Sequence, residues 1–236
     1  MLNPFVNFPH HQDCLVARFC LRVFAVIWLS LGCFLFNQYA TGIDFGLLRE
    51  RLMADAGSDA DFAEWKALIG VAHKQSAPID LKMVNDFFNQ KVKFESDAHI
   101  WNKNDYWATP MQTLSIKRGD CEDYSIAKYF TLAAAGVPED KLRLMYVQAL
   151  KYNQAHMVLA YYPSPEAEPL VLDNLNPEIL PASARADLRP VYSLARRDNS
   201  VNDTHDTAAR MREAMRQSRM SIWENLIKRA QAEGFD

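Results

Sequence analysis

Residues 119–141 read GDCEDYSIAKYFTLAAAGVPEDK, and three apolar runs follow at 142–150, 156–162 and 169–172. The first stretch is helical in pattern from Cys121 to about Ala135, with Gly136 placed to end it and Pro138 just beyond. The three runs read as strands separated by turn-forming stretches. Working outward, Ser58 opens a helix through about Lys74 that puts Phe62, Trp65, Leu68, Ile69 and Ala72 on one face. Another begins at Pro78, with Leu81, Val84, Phe87, Phe88 and Val92 apolar. Residues 95–112, rich in Asn, Asp and Trp, break all periodicity and read as an ordered loop, and 193–204 as a polar one. A last helix from Thr207 carries Met211, Met215, Ile222, Trp223, Leu226 and Ile227, an apolar stripe that reads first as packing. No internal repeat or linker interrupts the chain. Helices, one further helix, then strands describe an α+β domain.

Composition bounds the rest. At 236 residues and 49% hydrophobic, the chain suits one globular domain with appendages and is too apolar to be disordered. A formal net charge of −3 gives no bulk basic field, which argues against nucleic acid as a general partner.

The amino end reads separately. Residues 23–36, VFAVIWLSLGCFLF, carry no charge and follow Arg18 and Arg22, the pattern of a secretory h-region. A buried amino-terminal helix is the weaker reading, because the run is apolar all round. No clean small-x-small site follows, so residues 1–40 are expected to be a signal peptide or an uncleaved membrane anchor, and 41–236 the working domain. Cys14, Cys20 and Cys33 fall in this leader, which leaves Cys121 alone in the body. An exported domain with one thiol forms no internal disulfide, so Cys121 is either a buried small hydrophobe or a reactive thiol.

Its surroundings favour reactivity. Cys121 stands at a loop-to-helix junction, where the first-turn N–H groups and the positive end of the helix dipole favour thiolate. Asp120, Glu122 and Asp123 beside it work in the opposite sense and raise the thiol pKa. A divalent cation with oxygen ligands would neutralise them, and clustered carboxylates are what Ca²⁺ prefers. Helix capping accounts for one or two of the acids. A nucleophilic cysteine also needs a base. Of the body histidines His73, His99, His156 and His205, only His156 begins a strongly apolar strand, and the next strand ends in Asp173. A hairpin turning near 164–165 would hold both at its mouth, facing positions lying roughly 5 Å apart. A structural His–Asp pair at a strand end is the alternative.

The runs 105–110 (DYWATP), 119–129 (GDCEDYSIAKY), 155–160 (AHMVLA) and 170–175 (LVLDNL) resemble the bacterial transglutaminase-like cysteine proteinases, over about residues 65–194. The resemblance implies a papain/transglutaminase-like fold, a helical amino-terminal part packed on an antiparallel sheet. It implies Cys121 as nucleophile, His156 as general base and acid, and Asp173 as orienting carboxylate. It implies Ca²⁺ near the nucleophile at Asp120 and Glu122, with Asp123 and Asp105 as further candidates. It also implies a periplasmic endopeptidase that cleaves a large surface adhesin near its amino terminus and releases cells from a biofilm. An inner-membrane receptor sensing cyclic di-GMP would sequester and inhibit it. Trp101, Tyr106 and Trp107 would narrow the site or serve as plain core. Two other readings stay open: a transglutaminase or amidase on the same triad, and a non-catalytic binding module. Zinc is least favoured, since one body cysteine and scattered histidines lack its ligand spacing.

Overall fold

The computed structural model describes residues 42–74, 79–194 and 207–235. The expected leader at 1–40, the helix start at Pro78 and residues 195–204 of the polar loop lie outside them.

Three helices come first: α1 (Phe45–Ala54), α2 (Asp59–Ala72) and α3 (Ile79–Lys91). Ser58 caps α2 as expected, its Oγ accepting from Asp61 N at 3.2 Å, and Phe62, Trp65, Leu68, Ile69 and Ala72 are all buried. Helix α1 buries only Leu48 and Leu52, one turn apart, too short a stripe to stand out in the sequence. Asp44 caps it, and the Asp44 N–H donates to Gly234 O at 2.8 Å, joining the two flanks of the domain.

Residues 95–112, expected as loop, hold helical turns. After β1 (Lys93–Phe94) come α4 (Asp97–Trp101) and α5 (Pro110–Ile116), then β2 (Arg118–Gly119), which pairs in parallel with β1. Helix α4 is a little over one turn, so no periodicity could reveal it. Helix α5 did carry a signal, because Thr109 and Gln112 form a capping box with Pro110 in the first turn.

Helix α6 (Cys121–Ala134) is buried on nearly all sides from Asp123 to Leu132 and forms the spine of the domain. It ends where expected, at Gly136 with φ of +94°, and Val137 N reaches back to Leu132 O at 3.0 Å. The sheet behind it is antiparallel, in the order β6 (Leu180–Pro181), β5 (Leu170–Leu172), β4 (Gln154–Tyr161), β3 (Leu142–Ala149) and β7 (Leu188–Leu194). The three expected strands are its centre. Strand β6 is two residues long, and β7 carries Pro190 opposite a register shift in β3, which hides its alternation. Ser193 therefore belongs to a strand rather than to the expected loop.

Leu142, Leu144, Met157, Leu159, Tyr161 and Leu172 turn one sheet face into the main core with Trp65, Phe88, Ile126 and Leu132. Each such side chain, fully buried, contributes about 1.5–3 kcal/mol. Helix α7 (Thr207–Glu233) closes this core with Trp223, Leu226 and Ala230, Trp223 standing edge-on to Tyr129 at 5.3 Å. Its stripe does not pack along its whole length: Met215 is 45% exposed, and the side chain of Met211 lies outside those described. No described helix is long and apolar enough to cross a membrane.

Candidate active site

A cleft of about 290 Å³ opens at the amino end of α6, and Cys121, Glu122, Asp120, Asp105, Trp107, Tyr146, His156 and Arg219 line it. Gly119 sets the approach of β2 to this helix, since a Cβ there would come within 2.7 Å of Asp123 Cβ. The Cys121 N–H, in the first turn, has no intrahelical acceptor and faces the loop end of the helix. The thiol itself donates to Glu122 Oε2 at 3.0 Å and, among the described residues, not to an imidazole. Burial raises its pKa well above the ordinary thiol value, and the charges of Glu122 and Asp120 raise it further. The backbone N–H of Met157 offsets this only in part.

Met157 also ties the next strand to the helix. Ser125 Oγ lies 2.9 Å from Cys121 O and 3.1 Å from Met157 O, and His156 is the residue before that anchor point. His156 Nε2 and Asp173 Oδ1 are 2.8 Å apart, and both side chains are buried. The β4–β5 ladder pairs Leu159 with Leu172, so Asp173, one step past β5, meets His156 diagonally rather than face to face. Arg185 Nη2 donates to Asp173 Oδ2 at 2.7 Å, and Leu175 N donates to Oδ1 at 2.9 Å. Burial alone would raise the Asp173 pKa, but the hydrogen bonds from His156 and Arg185 and the imidazole charge bring it down to about 2. When the imidazole is neutral, an ionised Asp173 fixes its tautomer: Nε2 carries the proton, and Nδ1 keeps its lone pair.

The acids beside the thiol stand otherwise. Ligand oxygens of Asp97, Asp120 and Asp123 lie within 4.8 Å of one another, as do those of Asp97, Asp105 and Glu122. Burial raises Asp97 to about 6, with the Asp120 and Asp105 charges adding to it against a hydrogen bond from Tyr106 N. Burial raises Asp120 to about 8, and the neighbouring Glu122 charge contributes. Asp123, fully buried, is pushed up by burial and then by Asp120 and Glu122. Its two oxygens accept from Ala108 N at 2.8 Å and Asp120 N at 3.4 Å, so it secures the loop as well. Among the described residues, Asp97 Oδ1 and Asp120 Oδ1 are buried without a hydrogen-bond partner. Crowded carboxylates with orphaned oxygens suit a hard divalent cation, whose ligands are oxygens.

The structure thus gathers Cys121, His156, Asp120, Glu122, Asp123 and Asp105 at one cleft, with Asp173 behind the imidazole. Asp105 is exposed and pairs with Arg219 of α7. Trp107 is buried, its Nε1 donating to Asp105 Oδ1 at 3.2 Å, while Trp101 packs on Tyr106 at 4.6 Å. Three residues were not anticipated. Asp97 sits in a segment read as loop. Arg185 and Arg219 come from distant chain segments, and no local pattern points to either.

A family model described as bacterial transglutaminase-like cysteine proteinase matches residues 63–207. Legionella pneumophila LapG is 40% identical, covers 78% of this chain and 95% of its own, and superposes with a TM-score of 0.63. The EGTA-treated form of that protein gives 39% identity, 81% and 100% coverage and a TM-score of 0.64. The calcium-bound form gives 39%, 73% and 99%, and 0.59. No curated protein sequence matches.

Proposed function

This chain belongs to the bacterial transglutaminase-like cysteine proteinases and is a cysteine peptidase; from that premise we propose that it is a calcium-dependent periplasmic endopeptidase acting on a large surface adhesin. Cys121 is its nucleophile, His156 its general base and acid, and Asp173 its orienting carboxylate. One observation carries the assignment: a first-turn cysteine shares a cleft with a buried imidazole whose Nε2 is held by an ionised carboxylate.

His156 Nδ1 takes the thiol proton, and the sulfur attacks the scissile carbonyl carbon. The Cys121 N–H donates to the oxyanion that forms. His156 then returns the proton to the leaving amine, and a water activated by the same nitrogen hydrolyses the thioester. Asp173 stays ionised throughout and stabilises the imidazolium. Asp120, Glu122 and Asp97 would hold Ca²⁺, with Asp123 and Asp105 alongside. Bound there, the ion supplies the positive charge that lets a thiol among carboxylates ionise. Calcium also appears in the LapG structure of similar fold, which supports this reading.

Cleavage near the adhesin's amino terminus, release of cells from a biofilm, and inhibition by an inner-membrane cyclic di-GMP receptor complete the proposal, on the strength of the family resemblance. Co-expression with the large repeat adhesin of the same genome, followed by amino-terminal sequencing of the fragments, tests it. A single cut that disappears in Cys121→Ala and on EGTA treatment is the expected result. Cleavage that survives Cys121→Ala overturns the nucleophile, and cleavage indifferent to EGTA overturns the calcium requirement.

A further inference from the structure

Helix α6 carries a second unusual side chain. Lys128 lies seven residues beyond Cys121, two turns or about 10.5 Å along the same helix face. It is 1% exposed in the middle of the core, and no carboxylate pairs with it among the described residues. Burying an ammonium without a counter-charge is costly, so what it touches is informative. Its Nζ donates to Asn85 Oδ1 and Asn89 Oδ1, both at 2.8 Å. These two residues are one turn apart on α3, and each passes the contact on. Asn89 Nδ2 donates to the backbone carbonyl of Asp173 at 2.8 Å, and Asn85 Nδ2 to that of Pro177 at 3.0 Å.

We infer that Lys128 is a positioning residue for the reaction, a brace that runs from the nucleophile helix through two asparagine amides to the loop holding Asp173. This depends on the role of Asp173 proposed above. A primary amide can point either end at a neighbour, and only its nitrogen end can bond a carbonyl. Lysine has donors and no acceptor, so it draws both amide oxygens toward itself and turns both nitrogens toward the 173–177 backbone. Without it, an amide flip would set oxygen against the Asp173 carbonyl and push the carboxylate off His156. Burial lowers the Lys128 pKa to about 7, against the opposing charges of Asp173 and Asp86. The brace needs two N–H groups; the ammonium supplies three and no acceptor, whereas the neutral amine keeps two and gains a lone pair, so the ammonium is the form that enforces both amide orientations.

The test follows alkylation of Cys121 by iodoacetamide, at its own peptide by mass spectrometry, across pH in the calcium-supplied full chain. Lys128→Met should slow the reaction at pH 7 by roughly ten- to a hundredfold and move its midpoint upward, the scale of small misplacements at an active site. Loss of packing elsewhere would lower thermal stability without moving that midpoint. The double variant Lys128→Met/Asp173→Ala should be no slower than Asp173→Ala alone. Additive effects, or an unmoved midpoint in Lys128→Met, overturn the brace while leaving the triad in place. An unmoved midpoint in Asp173→Ala overturns the triad reading and the brace with it. If Lys128→Met does not fold, Asn89→Ala, which cuts the same link at a half-buried site, carries the same expectations.

Discussion

Asp173 on one side of the cleft and the Asp97–Asp120 pair on the other are satisfied to opposite degrees. Asp173 accepts from an imidazole, a guanidinium and a backbone N–H, and its pKa falls to about 2. Asp97 and Asp120 each keep a buried oxygen without a partner among the described residues, and their pKa values climb to about 6 and 8. Burial presses both groups upward; the difference lies in the donors within reach. The first group is complete from the chain's own residues. Among the described residues the second meets one cation, Arg219, through Asp105 at its rim, and the Glu122 and Asp120 charges help to raise the thiol pKa.

The largest expected effect comes from spoiling the complete group. Asp173→Asn should reduce peptidase turnover by roughly 10²- to 10⁴-fold, the range seen when a triad carboxylate becomes an amide. It should also destabilise the fold by about 1–3 kcal/mol, because the charge-assisted bonds to His156 and Arg185 are weakened while Asp187 still pairs with Arg185. Steady-state kinetics and urea unfolding measure the two. A stable, fully active Asp173→Asn would break the comparison.

A smaller effect has opposite signs on the two sides. The calcium-free protein should melt at progressively lower temperature as pH rises from about 4 toward 8. Carboxyls whose folded pKa lies above the ordinary value add stability that is whole below about 4 and is lost as they ionise. Asp173 behaves inversely, its contribution whole above about 4 and lost as pH falls toward 2. Calcium at a hundred times its dissociation constant should restore about 2.7 kcal/mol at pH 8, and calorimetry with and without EGTA reads this. Asp120→Asn sharpens the contrast, since it should raise the melting temperature of calcium-free protein at pH 8 where Asp173→Asn lowers it.

The smallest effect belongs to the rim. Asp105 and Arg219 form a partly exposed pair, and Arg219→Gln should cost less than about 1 kcal/mol in thermal unfolding. A larger loss would place Arg219 with the buried groups instead.

How much of this was legible follows from where each signal resides. Helices α2, α3 and α6 and strands β3 to β5 announce themselves because caps, a terminal glycine and apolar periodicity act within a dozen residues. Cys121, His156 and Asp173 could be singled out because each lies at or within two residues of the end of such an element: Cys121 opens α6, His156 is the third residue of β4, and Asp173 follows β5. Asp97 was hidden in a helix barely longer than one turn, and Arg185 and Lys128 could not be read as partners of the Asp173 loop. Their roles depend on contacts 12 or more residues away, and a guanidinium or ammonium in the core looks, in sequence, like any surface charge. The diagonal offset of His156 and Asp173 is likewise a matter of register, which pattern alone does not set.

The bond from the Asp44 amide to the Gly234 carbonyl has an engineering consequence. Residues near positions 44 and 234 are neighbours, so a short linker could join them and new termini be cut in the exposed turn at 163–166. Such a circular permutant would keep every element that faces the cysteine. It would also place both new chain ends at the far end of the β4–β5 hairpin, away from His156 and the amino end of α6.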